Sequence, residues 1–235
     1  MLAVYKKELR SYFTSVIGYV FLVLYLSIAT AALVYTTLYS MSADVTTFFT
    51  LMIFVSAVAL PLLTMKSFSE ERKGKTEQLL LTAPVSITGV VMGKFLAAYT
   101  IFASCMVLNT LYCLILLNYA PLKVAVLFGS LVAVLLIGFV FIAIGLFVSA
   151  LTENQLSAAI GTMGIIIGFL AIGLISLLIP SNYGIRFVFN FLSIFTRFQA
   201  FTSGVFDLAS ILYYLSLGAI FLYLTVRIYD RRRYN

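Results

Sequence analysis

The sequence predicts an all-α membrane protein with six transmembrane helices, and three observations carry that prediction. First, 63% of the 235 residues are hydrophobic and 10% are charged, with a mean hydropathy of +1.13. A soluble domain has about 45–50% apolar and about 25% charged residues. Second, the apolar runs are long and unbroken. Backbone amides need internal partners in lipid, so a span is a helix or part of a closed barrel, and a barrel would show alternating segments of about ten residues. Third, the cations are lopsided. Twelve of the 15 Lys and Arg residues fall on one side of the predicted topology, leaving Lys123, Arg186 and Arg197 on the other. The richer side is expected to be cytoplasmic.

The chain reads as a single transmembrane domain, residues 1–235. Residues 1–14, "MLAVYKKELRSYFT", interleave charges with Leu2, Val4, Tyr5, Leu9, Tyr12 and Phe13. That pattern predicts an amphipathic elbow helix on the membrane surface, with Lys6, Lys7 and Arg10 facing anionic headgroups. It lacks the short apolar core and small-residue cleavage site of a signal peptide, so no cleavage is expected. The spans are read at 16–39, 49–65, 90–119, 124–151, 157–179 and 208–229. The third and fourth are long enough to tilt. Pro121 separates them, and Pro180, Asn182 and Gly184 end the fifth. Both termini then lie on the cytoplasmic side.

Residues 66–88 form a charged island between spans two and three. Within it "SEERKGKTEQLL" contains Gly74-Lys75-Thr76, the ending of a phosphate-binding P-loop. The motif requires a further glycine at position 69 and a preceding strand. Position 69 is Ser69, Glu70 and Glu71 stand where phosphates would sit, and a membrane helix precedes it. The P-loop reading therefore fails on charge as well as on spacing. Two short helices fit instead. Ser67 and Glu70 have capping-box spacing, unless span two simply continues through them. Gly74 suits a left-handed exit, and Thr76 with Glu77 suits the start of a second short helix. That helix carries Leu79, Leu80 and Leu81 and stops before Pro84. Ser86 or Thr88 caps the third span. Three adjacent leucines on a cytosolic knuckle imply a partner groove.

Residues 180–207 are aromatic-rich but interrupted by Arg186, Asn190 and Arg197. They are expected to be re-entrant helices packing against the outer side of the bundle before the last span. A seventh crossing is the alternative, disfavoured because it would place "DRRRYN" outside. That tail, with Arg231, Arg232 and Arg233, reads as a headgroup-binding cluster. It is too small for a nucleic-acid surface.

Several classes lose support. There is no histidine, which removes the commonest metal ligand and general base. Cys105 and Cys113 lie in one apolar helix, where a disulfide is geometrically excluded. No Asp, Glu, Lys or Arg sits mid-span, which counts against an ion-coupled carrier. A membrane-embedded enzyme would have to use Lys66 or Lys94 at the membrane edge. A passive scaffold anchoring a partner complex is harder to exclude. Gly164 and Gly168 form G-x-x-x-G, read first as packing within the subunit and alternatively as a subunit interface. Asn109 and Thr110 are read as helix–helix hydrogen-bonding groups.

"SFSEERKGKTEQLLLTAPVS" resembles the first cytoplasmic loop of ABC-2 type transporter permeases, most closely the gliding-motility-type subfamily. The motif runs Glu70-Glu71-Arg72-Lys73, then Gly74 and Thr76, Leu79-Leu80-Leu81 and Pro84-Val85-Ser86, and the resemblance extends over nearly the whole chain. One departure stands out: many relatives place Gly directly before the Thr, where this chain has Lys75, and Gln78 replaces a later Glu. The resemblance implies a permease subunit of a bacterial cytoplasmic-membrane transporter. It would pair with a second permease chain, identical or related, above a separate ABC ATPase that binds ATP and Mg. It implies no cofactor, metal or catalytic residue in this chain. The helix from Thr76 would sit in an ATPase cleft, with Glu70, Glu71 and Arg72 passing movement to spans two and three through salt bridges. Glu153 and Asn154, in the short second loop, would make a smaller contact. An extracytoplasmic partner is a further candidate.

Overall fold

The computed structural model describes residues 1–39, 45–78, 85–115, 124–178, 184, 190, 192–204 and 206–234. All regular structure among them is helical. The order is α1 (Leu2–Thr14), α2 (Val16–Leu33), α3 (Val45–Thr64), α4 (Lys66–Lys73), α5 (Ile87–Ile115), α6 (Val124–Leu151), α7 (Gln155–Leu178), α8 (Ile194–Thr202) and α9 (Leu208–Tyr234). Six stretches are long and apolar enough to cross a membrane; they are α2, α3 running on into α4, α5, α6, α7 and α9. The fourth span matches its expected bounds. The second starts four residues earlier than expected, and α2 continues as a π-helical turn, Val34–Tyr39.

The most enclosed span is α6, which packs against α3, α5, α7, α8 and α9. Lipid is as apolar as leucine, so spans associate through close packing and hydrogen bonds rather than hydrophobic exclusion. The residues of α6 suit that demand. A Cβ at Gly138 would lie 2.0 Å from the Phe102 ring of α5, and one at Gly145 would lie 2.1 Å from Thr64 Oγ1 of α3. Phe102 and Thr64 thus occupy space that any larger residue would deny them. Tyr25 of α2 reaches Ser56 of α3 at 2.8 Å, which satisfies a buried hydroxyl between two spans.

The ends of the spans have local causes. Ser86 accepts from the Gly89 amide at 3.3 Å and starts α5. Asp207 accepts from the amides of Ala209 and Ser210, both at 3.1 Å, and starts α9. Ser193 accepts from Thr196 at 3.0 Å and starts α8. Within residues 180–207, α8 buries Ile194, Phe198 and Phe201 against α6 and α7. Residues 179–183 and 185–189 lie outside the description, as does Pro121, so the re-entrant path and the two proline breaks lie outside it too.

The expected capping box at Ser67 is not formed. Met65 keeps right-handed helical angles, φ −54° and ψ −34°, and caps α4 without a side chain. The helix turns almost continuously from α3 into α4, and Ser67 sits buried inside it. The amides at the break find another partner, Ser149 of α6. Its Oγ accepts from Phe68 and Ser69, each at 3.1 Å, and donates to the Met65 carbonyl at 3.1 Å.

Candidate functional site

Both termini and residues 66–78 meet at one end of the bundle, here termed the basic end. The centre of that end is Lys94, eight residues into α5, with its side chain 1% exposed. An isolated ammonium there would be too costly, but all three of its N–H donors are used. They go to Glu71 Oε1 at 2.8 Å, Glu8 Oε1 at 3.1 Å and the Ser67 carbonyl at 2.6 Å. The Phe68 ring lies 5.0 Å from Nζ and adds a cation–π contact. Lys7 stands 3.8 Å from both carboxylates, so two cations balance two anions. Three elements far apart in sequence, α1, α4 and α5, are thereby tied at one atom.

The last carbonyls of α6 form a second anchor. A helix C-terminus leaves carbonyls without intrahelical partners and carries partial negative charge. Two guanidinium groups satisfy consecutive ones. Arg72 donates to Leu151 at 2.8 Å and pairs with Glu153 at 3.0 Å. Arg232 donates to Ala150 at 2.8 Å and pairs with Glu77 at 3.0 Å. The planar fork of arginine allows one side chain to hold a carbonyl and a carboxylate together. Arg232 also lies over Tyr229 at 5.3 Å, whose ring packs 4.7 Å from Phe68. The segment is therefore pinned to α5 by Glu71, to α6 by Arg72 and Ser149, and to α9 by Glu77.

The exit from α4 corrects one expectation. Gly74 is right-handed, at φ −79°; the left-handed residue is Lys75, at φ 55°. Thr76 N bonds Glu71 O at 3.0 Å and Lys75 N bonds Arg72 O at 3.1 Å. This is a Schellman pair, whose left-handed position is one residue past the helix cap. The Thr76 hydroxyl also differs from expectation, donating back to Glu71 O at 3.2 Å rather than capping forward. The chain is helical again at Glu77 and Gln78. Leu79, Leu80, Leu81 and Pro84 lie outside the described residues.

The remaining residues named from sequence divide by position. Glu70, Lys73, Gly74 and Thr76 are exposed. Arg72 joins the end of the fourth span rather than spans two or three. The side chain of Asn154 accepts from the Leu156 amide at 3.0 Å and starts α7. Lys6, Lys7 and Arg10 are exposed on α1, whose other face lies on the bundle. There Tyr12 donates to the Leu63 carbonyl at 3.2 Å, and burial, with Glu8 nearby, pushes its phenol well above the ordinary value. Among the tail arginines, Arg231 and Arg233 are exposed but Arg232 turns inward, so it does not belong with the headgroup cluster.

Two expectations for the spans also change. A Cβ at Gly164 or Gly168 would meet no heavy atom within 4 Å among the described residues, so this G-x-x-x-G packs against none of them. Thr110 donates to Met106 of its own helix at 2.8 Å, and Asn109 Nδ2 is buried without a partner among the described residues. Neither makes the expected bond to another described helix. Cys105 and Cys113 are free and buried.

Glu8, Lys94, Ser149 and Tyr229 were not among the sequence-derived site residues. Lys94 alone left a visible signal, as a lone cation in the apolar run "VVMGKFLAAY".

A family model described as ABC-2 family transporter protein matches residues 2–233. No curated protein matches the chain.

Proposed function

This chain belongs to the ABC-2 family of transporter proteins, and we propose that it is the membrane-spanning permease subunit of an ATP-binding-cassette transporter. In this reading the basic end faces the cytoplasm of a bacterial cell, both termini included. A separate ABC ATPase, carrying ATP and Mg, docks on the segment that begins at Thr76. The observation that carries the reading is the three-point anchorage of residues 66–78. A loop that only joined two spans would not need buried Lys94, two arginine clamps and Ser149 to fix it.

The mechanism follows from those anchors. Force applied near Glu77 reaches α9 through Arg232 and reaches α4 along the chain. From α4 it passes to α5 through Glu71 and Lys94, and to the end of α6 through Arg72. Glu8 brings α1 into the same unit, so the surface helix moves with the segment. Ion pairs suit this role because they resist separation yet re-form in a shifted geometry. Lys94 is fully engaged as a donor, which argues against its use as the base of a membrane enzyme.

Pairing with a second permease chain is the other part of the reading. The open Gly164–Gly168 face of α7 supports it, because small residues let two helices approach closely. Ile160 and Ile167 on the same helix are also exposed.

The test is biochemical. Purified alone, the chain should hydrolyse no ATP, and it should co-purify with an ATPase encoded beside it. Hydrolysis by the isolated chain would overturn the proposal. Replacing Leu79 and Leu80 by Asp should release the ATPase; unaltered co-purification would remove the coupling segment from the mechanism.

A further inference from the structure

A cleft of about 1160 Å³ opens between the end of α6 and the last turns of α9. Phe147 and Leu151 form one wall. Leu224, Arg227, Ile228 and Arg231 form the other, with Asp230 beside them. The α9 residues are spaced i, i+3, i+4, i+7, so they share one helix face. Along that face the chemistry changes in order: Leu224 lies deepest, Arg227 and Ile228 follow, and Arg231 comes last, nearest the basic end. Arg227 is held over the Tyr223 ring by a bond to its hydroxyl at 2.8 Å, which fixes its direction. Arg232, one residue on, points away to Glu77. The tail is therefore not one diffuse basic patch, since its cations are sorted to different faces.

We propose that this cleft binds one anionic phospholipid of the inner leaflet. Its phosphate would lie between Arg227 and Arg231, and an acyl chain would lie along Phe147, Leu151, Leu224 and Ile228. The apolar-to-basic gradient along α9 runs the same way as the lipid, from chain to headgroup. Among the described lining residues, two guanidinium groups stand against the one carboxylate of Asp230 and leave the rim positive, which selects an anionic over a zwitterionic headgroup. The inference needs only that the basic end faces the cytoplasm, and it stands or falls apart from the ATPase-coupling reading.

The experiment is native mass spectrometry of the full chain, in whatever oligomer it adopts, equilibrated with equal phosphatidylglycerol and phosphatidylcholine of matched acyl chains. One phosphatidylglycerol should be retained per chain in preference to phosphatidylcholine. The double variant Arg227→Gln/Arg231→Gln should weaken that retention roughly thirtyfold. Lys75→Gln, which removes an exposed cation of the same end that does not line the cleft, should leave it unchanged. Melting in pure phosphatidylcholine should be the same for all three proteins, which separates lost binding from lost folding. Equal retention of both lipids, full retention by the double variant, or equal loss in Lys75→Gln would each overturn the proposal. So would efficient disulfide cross-linking of Leu224→Cys between two copies in native membranes, since a second copy would then fill the cleft.

Discussion

The two halves of α5 are held by different chemistry. At its basic end Lys94 is buried among two carboxylates and a carbonyl. Two turns further on, Phe102 fills the notch that Gly138 leaves in α6. The first contact is long-range, polar and made with α1 and α4. The second is apolar and made between two spans. A ring in a notch has one good position, whereas an ionic cluster can exchange partners, as the second carboxylate and nearby Lys7 allow. The molecule thus has a packed interior that sets shape and a charged end whose ion pairs can rearrange.

Breaking the charged end should have the largest effect. Lys94→Met leaves Glu8 and Glu71 facing each other without their shared cation. Loss of one partner of a buried pair costs about 3–5 kcal/mol, and thermal unfolding in detergent should show it. Lys94→Arg should recover only part, because a planar fork does not reproduce three donors converging from one nitrogen. In the packed half, Gly138→Ala forces a methyl against the Phe102 ring and should cost about 1–3 kcal/mol. Enlarging the notch partner instead, with Phe102→Trp, should be no better tolerated. A melting temperature unchanged by Gly138→Ala would mean that the interior is less tightly packed than the structure indicates.

A smaller effect, of opposite sign, is expected at the exit from α4. Lys75→Gly removes the cost of a left-handed side-chain-bearing residue, about 1 kcal/mol, and should raise the melting temperature. Gly74→Ala, at a right-handed angle, should change it little. The smallest effect concerns Asp207, whose carboxyl is held below its ordinary value by the Ser210 hydroxyl and by the amides of Ala209 and Ser210. A depressed folded-state value means that its contribution is complete above the ordinary carboxylate range and is lost as pH falls through the folded value. The difference in melting temperature between the wild type and Asp207→Asn should therefore shrink on acidification.

Much of the fold was legible because lipid imposes a strict rule. A chain that must satisfy its amides internally over about 20 apolar residues has little choice but helix, and span 124–151 could be read to the residue. The cap at Ser86 was legible for a similar reason, as a local bond between residues three apart. The charged end was less so. Glu8 and Glu71 lie 86 and 23 residues from Lys94, and no local pattern announces that they meet. Helical phase accounts for another miss: Arg231, Arg232 and Arg233 look alike in sequence but point about 100° apart on a helix, and only Glu77 and the end of α6 explain why the middle one turns in. The left-handed residue was sought at Gly74 because glycine is the usual occupant, whereas the bonds from Lys75 and Thr76 place it one position later. Gly164 and Gly168 show the reverse problem, a motif that meets nothing among the described residues.

The central claim is that Glu71 joins the proposed coupling segment to α5 through Lys94. Glu71→Gln tests it most directly, since it keeps the shape and leaves Lys94 paired with Glu8. In proteoliposomes with the co-purified ATPase, the variant should still bind the ATPase but lose most of the permease-dependent stimulation of its ATP turnover. Wild-type stimulation by a fully assembled Glu71→Gln complex would contradict the account.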